Sequence, residues 1–151
     1  MEKRNLYDGA TFDAVMARID SLTPESQPAW GKMDAAQMLA HSAEVQEVAN
    51  GKPLRNSPWF LKLFKGLIRK AVVGPKPYPR SSQTHPQYIV ASAREFAEER
   101  ERLRAALQRM FDEGPENAGS VEHPLFGTLT ADEKGWAMYK HIDHHLTQFG
   151  V

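Results

Sequence analysis

Three histidines are the residues of this chain whose type and spacing are best suited to chemistry. His141 and His145 lie four positions apart in the stretch GWAMYKHIDHHLTQF, so on an α-helix both imidazoles project from one face and can bind a single metal ion. His41 lies in a separate segment, QMLAHSAEV, where Met38 and Val45 share its helical face. We therefore predict a metal site formed by His41, His141 and His145.

Helical projection separates these ligands from their neighbour His144. Four residues define the apolar face of the last helix: Met138, Ile142, Leu146 and Phe149. His145 projects near the middle of this face and His141 projects at its edge, whereas His144 falls beside Lys140 on the polar side. We expect His144 to be a surface residue or to contact the metal ligands from outside.

A neutral imidazole in an apolar interior needs a partner for each ring nitrogen. A divalent metal satisfies one nitrogen, and a neighbouring acceptor satisfies the other. The alternative is a hydrogen-bonded core histidine, because an HxxxH pair also occurs by chance on many helices. The HExxH motif of zinc proteases is absent, since Ile142 follows His141, and this disfavours peptidase activity.

Two further residues are candidates for supporting roles. His123, in the loop before the last helix, is a candidate proton shuttle or additional ligand, with an exposed turn residue as the alternative. Glu44, three positions after His41, is placed to orient a ligand or to polarise a bound water, unless it is simply a solvated carboxylate.

Five helical segments must position these residues. Apolar periodicity and helix-capping pairs, such as Asp34 with Gln37 and Thr130 with Glu133, predict helices over residues 10–22, 34–49, 58–73, 87–113 and 131–149. No β-strand pattern of any strength occurs. The sequence predicts an all-α fold in a single domain, residues 1–151: an antiparallel four-helix bundle with one short inserted amphipathic helix, residues 58–73.

The inserted segment PWFLKLFKGLIRKAVV segregates basic residues from apolar ones. We expect it to form a lid or a side wall of the bundle. Binding to a membrane surface or to an acidic partner is the rival interpretation.

Charge and composition narrow the classes of partner. Lys plus Arg equals Asp plus Glu at 19 each, and no nucleic-acid-binding motif occurs, so we expect no nucleic-acid partner. The sequence has no apolar run of membrane-spanning length and no secretory leader pattern, which predicts a soluble, cytoplasmic protein. It also has no cysteine, so a reactive thiol would have to come from a substrate.

The chain resembles the DinB-like superfamily of metal-binding four-helix bundles. The matching motifs are MLAHSAEV, HPLFGTLT and HIDHHLTQF, and the longer matches WGKMDAAQMLAHSAEV and HHLTQFGV look like a functionally uncharacterised bacterial branch of that superfamily. The superfamily pattern is one histidine on the second helix and a late HxxHH element followed by Gln, of which the first and last histidines bind metal. Carried over by motif, the implied ligands are His41, His141 and His145.

The resemblance implies a divalent metal, with Zn or Ni preferred over Mn or Fe, and open positions for a small-molecule substrate or a low-molecular-weight thiol. Superfamily relatives include thiol-dependent transferases and isomerases, and they often form homodimers. We therefore expect a metal- and thiol-dependent transferase or a metal-assisted hydrolase. The alternatives are a non-catalytic module that binds a metal or a small molecule, and an interaction protein with core histidines and no metal.

Overall fold

The chain is mostly helical in a computed structural model that describes residues 2–80, 82 and 84–151. Within this part of the chain there are five α-helices: α1 (Gly9–Asp20), α2 (Ala35–Ala49), α3 (Lys65–Val73), α4 (Phe96–Glu113) and α5 (Ala131–Gln148). Short 3₁₀ segments occupy Trp59–Phe64, Pro86–Tyr88 and Pro115–Ser120. Strands β1 (Glu122–His123) and β2 (Gly127–Thr128) form a small antiparallel hairpin that the sequence did not predict. The all-α fold class is confirmed.

Capping boxes fix the starts of the two helices that carry the histidines. At α2, Asp34 accepts a hydrogen bond from the backbone N–H of Gln37, and the Gln37 side chain accepts one from the backbone of Asp34. Thr130 and Glu133 make the same reciprocal pair at α5. Each box satisfies backbone donors that have no partner within the helix, so these two starts could be predicted from local sequence.

The helix predicted to begin at Gln87 begins instead at Phe96. Residues 86–88 form a 3₁₀ turn, and Ile89 is extended. The backbone carbonyl of Tyr88 accepts a side-chain hydrogen bond from His41, so it is not committed to a helical bond with Ser92. Packing against α2 therefore overrides the helical tendency of this segment.

Helices α2 and α4 run in the same direction. Arg102 on α4 pairs with Glu47 on α2, and one turn further along both helices Asn50 donates a hydrogen bond to the carbonyl of Ala106. The prediction of a wholly antiparallel arrangement is therefore wrong for this pair. Parallel neighbours require a long connection, and residues 50–95, which include α3, provide it.

The core is one hydrophobic cluster to which all four long helices contribute. Its members include Val15 and Ile19 from α1, with further residues from the other long helices: Met38, Leu39, Leu103, Leu107, Met110, Trp136, Ile142 and Leu146. Truncating a buried Leu or Met of this kind to Ala typically costs about 2–5 kcal/mol. The core thus holds α2 and α5 side by side at the level of the histidines.

The segment predicted as one helix over residues 58–73 is divided into a 3₁₀ turn, Trp59–Phe64, and α3. It packs on α5, with Ile68, Val72 and Val73 against the core. Five other large apolar side chains of the segment are exposed: Trp59, Phe60, Leu63, Phe64 and Leu67. Among the described residues, no helix combines the length and apolar character needed to cross a bilayer.

Candidate metal centre

His41 on α2 and His141 and His145 on α5 converge at one point. Nε2 of His41 lies 3.2 Å from Nε2 of His141, and one nitrogen from each of the three rings lies within 4.8 Å of the others. Two nitrogens bound to one ion by bonds of about 2.0–2.1 Å are roughly 3 Å apart, so the closest pair already has a suitable separation. These three side chains could hold a metal ion.

The orientation of the His41 ring is set by a backbone acceptor. Its Nδ1 donates to the carbonyl oxygen of Tyr88 over 2.7 Å, which leaves the lone pair on Nε2, the nitrogen that faces His141. The 3₁₀ turn before α4 therefore selects the tautomer needed for coordination through Nε2.

A side-chain amide sets the orientation of His145 in the same way. Nδ1 of His145 lies 2.9 Å from Oε1 of Gln148, and Nε2 of Gln148 donates to the carbonyl of Trp30 over 2.6 Å. Because the bond to Trp30 fixes which end of the amide is the donor, Oε1 must accept from His145. The lone pair of His145 is thereby placed on Nε2.

Burial keeps the three imidazoles neutral. It lowers the pKa of His41, and it lowers the pKa of His145 to about 3. The pKa of His141 is held well below its ordinary value by burial and by its proximity to His145 and His41. Metal coordination requires neutral imidazole, so at pH 7 the rings are in the required protonation state.

Aromatic side chains from two loops surround the outer side of the centre. The Tyr78 ring lies 6.4 Å from His141 and 6.0 Å from His144, measured between ring centroids, and Trp30 lies 5.8 Å from His144. Arg80 stacks over Trp30 at 4.4 Å. His144 is thus half-buried between Tyr78 and Trp30. It lies outside the three converging rings, as expected from its projection.

A family model described as a protein of unknown function, DUF1569, matches residues 1–150. The chain belongs to the DUF1569 family. No curated protein and no solved structure matches the chain significantly. The DUF1569 match includes α2 and α5, so both helices that carry the three histidines lie in the family's common region.

The structure places His123 near the centre without bringing it to the three rings. The His123 ring stacks on Phe126 with centroids 3.7 Å apart, and its Nε2 lies 3.5 Å from the hydroxyl of Tyr88. Since the residue is only 5% exposed, the alternative of an exposed turn residue is wrong. Burial, aided by the charges of His85 and Lys134, lowers the pKa of His123 to about 4.

Glu44 is directed away from the histidines. Its carboxylate accepts hydrogen bonds from Lys52, Arg102 and Gln87. Burial raises the pKa of Glu44, but these hydrogen bonds outweigh it and hold the pKa below its ordinary value. Both oxygens are occupied by this network, which ties α2 to α4 and to the connection between them.

Sequence reasoning missed several residues that shape the centre. The backbone carbonyls of Tyr88 and Trp30 could not be recognised in the sequence, because every residue has a backbone carbonyl. Gln148 could have been recognised, since its position three residues after His145 places both side chains on one helical face. Lys140 was expected on the polar side of α5 but is fully buried, because α3 covers it and accepts its hydrogen bonds.

Proposed function

We propose that this chain is a divalent-metal-binding helical bundle of the DinB-like type, in which His41, His141 and His145 bind one ion. One observation carries the proposal: three imidazoles converge while the outer nitrogens of His41 and His145 are held by oxygen acceptors. Such acceptors are typical of metal-binding histidines, whose ring orientation and tautomer they fix.

The arrangement of the long helices supports the bundle type. α1, α2, α4 and α5 share one hydrophobic cluster, and α2 is parallel to α4. α1 is antiparallel to α4, since Phe12 stacks on Phe111 near one end of the pair while Asp20 meets Arg104 near the other. Four-helix bundles with a long crossover connection contain parallel neighbours of this kind.

The donor set disfavours Mn, because Mn prefers oxygen ligands and no carboxylate belongs to the converging group of described residues. It favours Zn or Ni over Fe, because divalent Ni and Zn bind nitrogen sites more tightly than divalent Fe does. When bound, such an ion lowers the pKa of a coordinated thiol or water and so supplies a nucleophile at neutral pH. We propose metal- and thiol-dependent group transfer as the activity. The chain has no cysteine, so the thiol would be a small molecule.

The residues of the chain have separate tasks in this proposal. The three histidines hold the ion, and Tyr88 and Gln148 keep two of the rings in the binding tautomer. In the proposal, the Tyr78 ring beside His141 and the Trp30 ring beside His144 would limit the access of water from the outer side. Limited water access protects a thiolate nucleophile and strengthens local electrostatic interactions.

The metal content of protein purified without a polyhistidine tag tests the proposal. We expect one ion per chain in the wild type and a loss of most of it in His41→Ala and His145→Ala. His144→Ala is the matched control, because it removes a neighbouring histidine outside the converging group and should leave the stoichiometry near one. A wild-type stoichiometry near zero that added Zn or Ni cannot raise would overturn the proposal.

Two further measurements separate the alternatives. Screening with thiols and electrophiles detects turnover, and metal binding without turnover would support a non-catalytic binding module. Metal at about 100 times its dissociation constant should stabilise the fold by about 2.7 kcal/mol. If alanine at His41 or His145 changes stability and no variant shows a metal-linked change in Tm, the histidines are core residues.

A further inference from the structure

Residues 59–73, here called the basic apolar segment, turn their large apolar side chains toward solvent. The segment comprises the 3₁₀ turn Trp59–Phe64 and α3. Five of its large apolar residues are exposed, with the exposed fraction given after each: Trp59 75%, Phe60 46%, Leu63 73%, Phe64 47% and Leu67 65%. Isolated exposed apolar residues are common, but a contiguous patch of this kind marks an interaction surface.

The opposite face of the segment is fixed to the body of the protein by polar groups. Nη2 of Arg69 donates to both carboxylate oxygens of Glu133, at 2.8 and 2.7 Å. Trp136 and Lys140 on α5 donate hydrogen bonds to the carbonyls at the C-terminal end of α3. The segment therefore cannot rotate to bury its apolar residues without breaking these bonds, and the apolar face is presented outward.

The segment and the chain around it carry charge of one sign, and the two carboxylates that approach it, Glu122 and Glu133, lie beside Lys65 and Arg69. Between residues 51 and 94 the chain has no Asp or Glu, although it is neutral overall. The charged residues there are Lys52, Arg55, Lys62, Lys65, Arg69, Lys70, Lys76, Arg80 and Arg94. Lys70 and Lys76 are exposed and make no ion pair with any described residue. On α3, Lys70 lies three positions after Leu67 and so on the same helical face.

We propose that the basic apolar segment docks the protein on an anionic lipid surface. The exposed Trp, Phe and Leu side chains would enter the boundary between headgroups and acyl chains, while Lys70 and Lys76 meet the lipid phosphates and carboxylates. Interfacial helices combine apolar and aromatic residues with flanking Lys and Arg in this way. The docking is peripheral and is independent of the proposed metal chemistry.

Charge complementarity favours lipid over a second copy of the chain. A symmetric dimer through this face would place the segment against itself, and Lys70 of one copy would approach the basic residues of the other. An anionic bilayer offers opposite charge and an apolar phase at the same place. Attraction to the bilayer should weaken with salt, whereas the apolar contribution should persist.

Sedimentation of the full chain with vesicles tests the docking. One vesicle contains phosphatidylcholine alone, and the other also contains phosphatidylserine. We expect binding to the serine-containing vesicles to exceed binding to phosphatidylcholine by about tenfold or more at low salt, and to fall as salt is raised. The fluorescence of Trp59 should shift to shorter wavelength on binding, and Trp59→Phe should abolish most of this shift.

A double variant, Leu63→Glu with Leu67→Glu, should reduce binding to the serine-containing vesicles by about tenfold or more without changing Tm. Ile89→Glu is the matched control, because Ile89 is 62% exposed but lies outside the segment, and it should bind as the wild type does. Absence of binding to both vesicles, or an equal loss in Ile89→Glu, would overturn the proposal. So would a dimer in solution that the double variant dissociates, with no lipid binding by the wild type.

Discussion

Gln148 lies one helical turn beyond His145 on α5, and its Oε1 accepts the Nδ1 proton of that histidine at 2.9 Å. The same amide donates to the carbonyl of Trp30, in the loop before α2. The close approach depends on Gly31, where φ is +87° and an added Cβ would meet Nε2 of Gln148. One side chain thus connects a proposed metal ligand to the loop that covers the centre.

Replacing Gln148 with Leu should weaken metal binding by about 10–100-fold while leaving one ion per chain at saturating metal, because the ring of His145 loses its fixed tautomer and orientation. Competition with a chelator of known affinity measures the change. Gln108→Leu is the control, since Gln108 hydrogen-bonds only Asp112 on the exposed face of α4 among the described residues. Equal affinities for Gln148→Leu and the wild type would show that the amide does not support the centre.

The sequence predicted the centre better than its surroundings. Helical spacing and the apolar face of α5 were enough to select His141 and His145 over His144, because these are local properties of one helix. The burial of Lys140 and the interrupted start of α4 depend on contacts between segments distant in sequence. A projection of one helix cannot show that α3 packs over Lys140 and accepts its hydrogen bond. It also cannot show that the carbonyl of Tyr88 accepts a hydrogen bond from His41.

Glu44→Gln should leave metal affinity unchanged and reduce the free energy of unfolding by about 1 kcal/mol. The carboxylate is three residues from His41 in sequence, but it accepts hydrogen bonds from Lys52 and Arg102 and not from the centre. Its side chain is 13% exposed, so the network is only partly screened by solvent. Urea unfolding and the chelator competition measure the two quantities. A tenfold fall in metal affinity would instead assign Glu44 to the centre.

The stability of metal-free protein should fall between pH 7 and pH 5, and His123 should account for part of the loss. Burial holds the pKa of His123 at about 4 in the folded state, below about 6.5 in the unfolded chain. The unfolded state therefore binds more protons between these values, so the stabilisation is present above pH 6.5 and is lost as the pH falls. At pH 5 the stability lost through His123, relative to pH 7, is on the order of 2 kcal/mol.

His123→Phe preserves stacking on Phe126 and cannot titrate, so its unfolding free energy should decrease less over the same interval. The carboxylates of Glu44 and Glu47 have lowered pKa values and titrate below this window. Urea unfolding at pH 7 and pH 5, with chelator present, makes the comparison. If the variant and the wild type lose equal stability, the protonation of His123 does not contribute.

Lys140→Met should destabilise the fold and loosen α3. The Lys140 side chain is fully buried, and burial lowers its pKa to about 8. Its Nζ donates to three carbonyl oxygens at the end of α3, those of Ala71, Gly74 and Lys76, at 2.6, 2.9 and 3.3 Å. Methionine has similar volume but no donor. The carbonyls of Ala71 and Lys76 would lose this hydrogen bond, at a cost of roughly 1–3 kcal/mol, whereas that of Gly74 would keep Trp136 as a donor.

Urea unfolding gives the change in stability, and hydrogen exchange of the α3 amides shows whether the loss is local to that helix. Lys134→Met is the matched control, because Lys134 is also buried on α5 but donates no side-chain hydrogen bond to a described residue. That substitution should be neutral or stabilising, since it removes a charge that burial disfavours, as the lowered pKa of Lys134 indicates. Wild-type stability and unchanged α3 protection in Lys140→Met would mean that Arg69, Trp136 and the apolar packing of Ile68, Val72 and Val73 are sufficient to hold α3 in place.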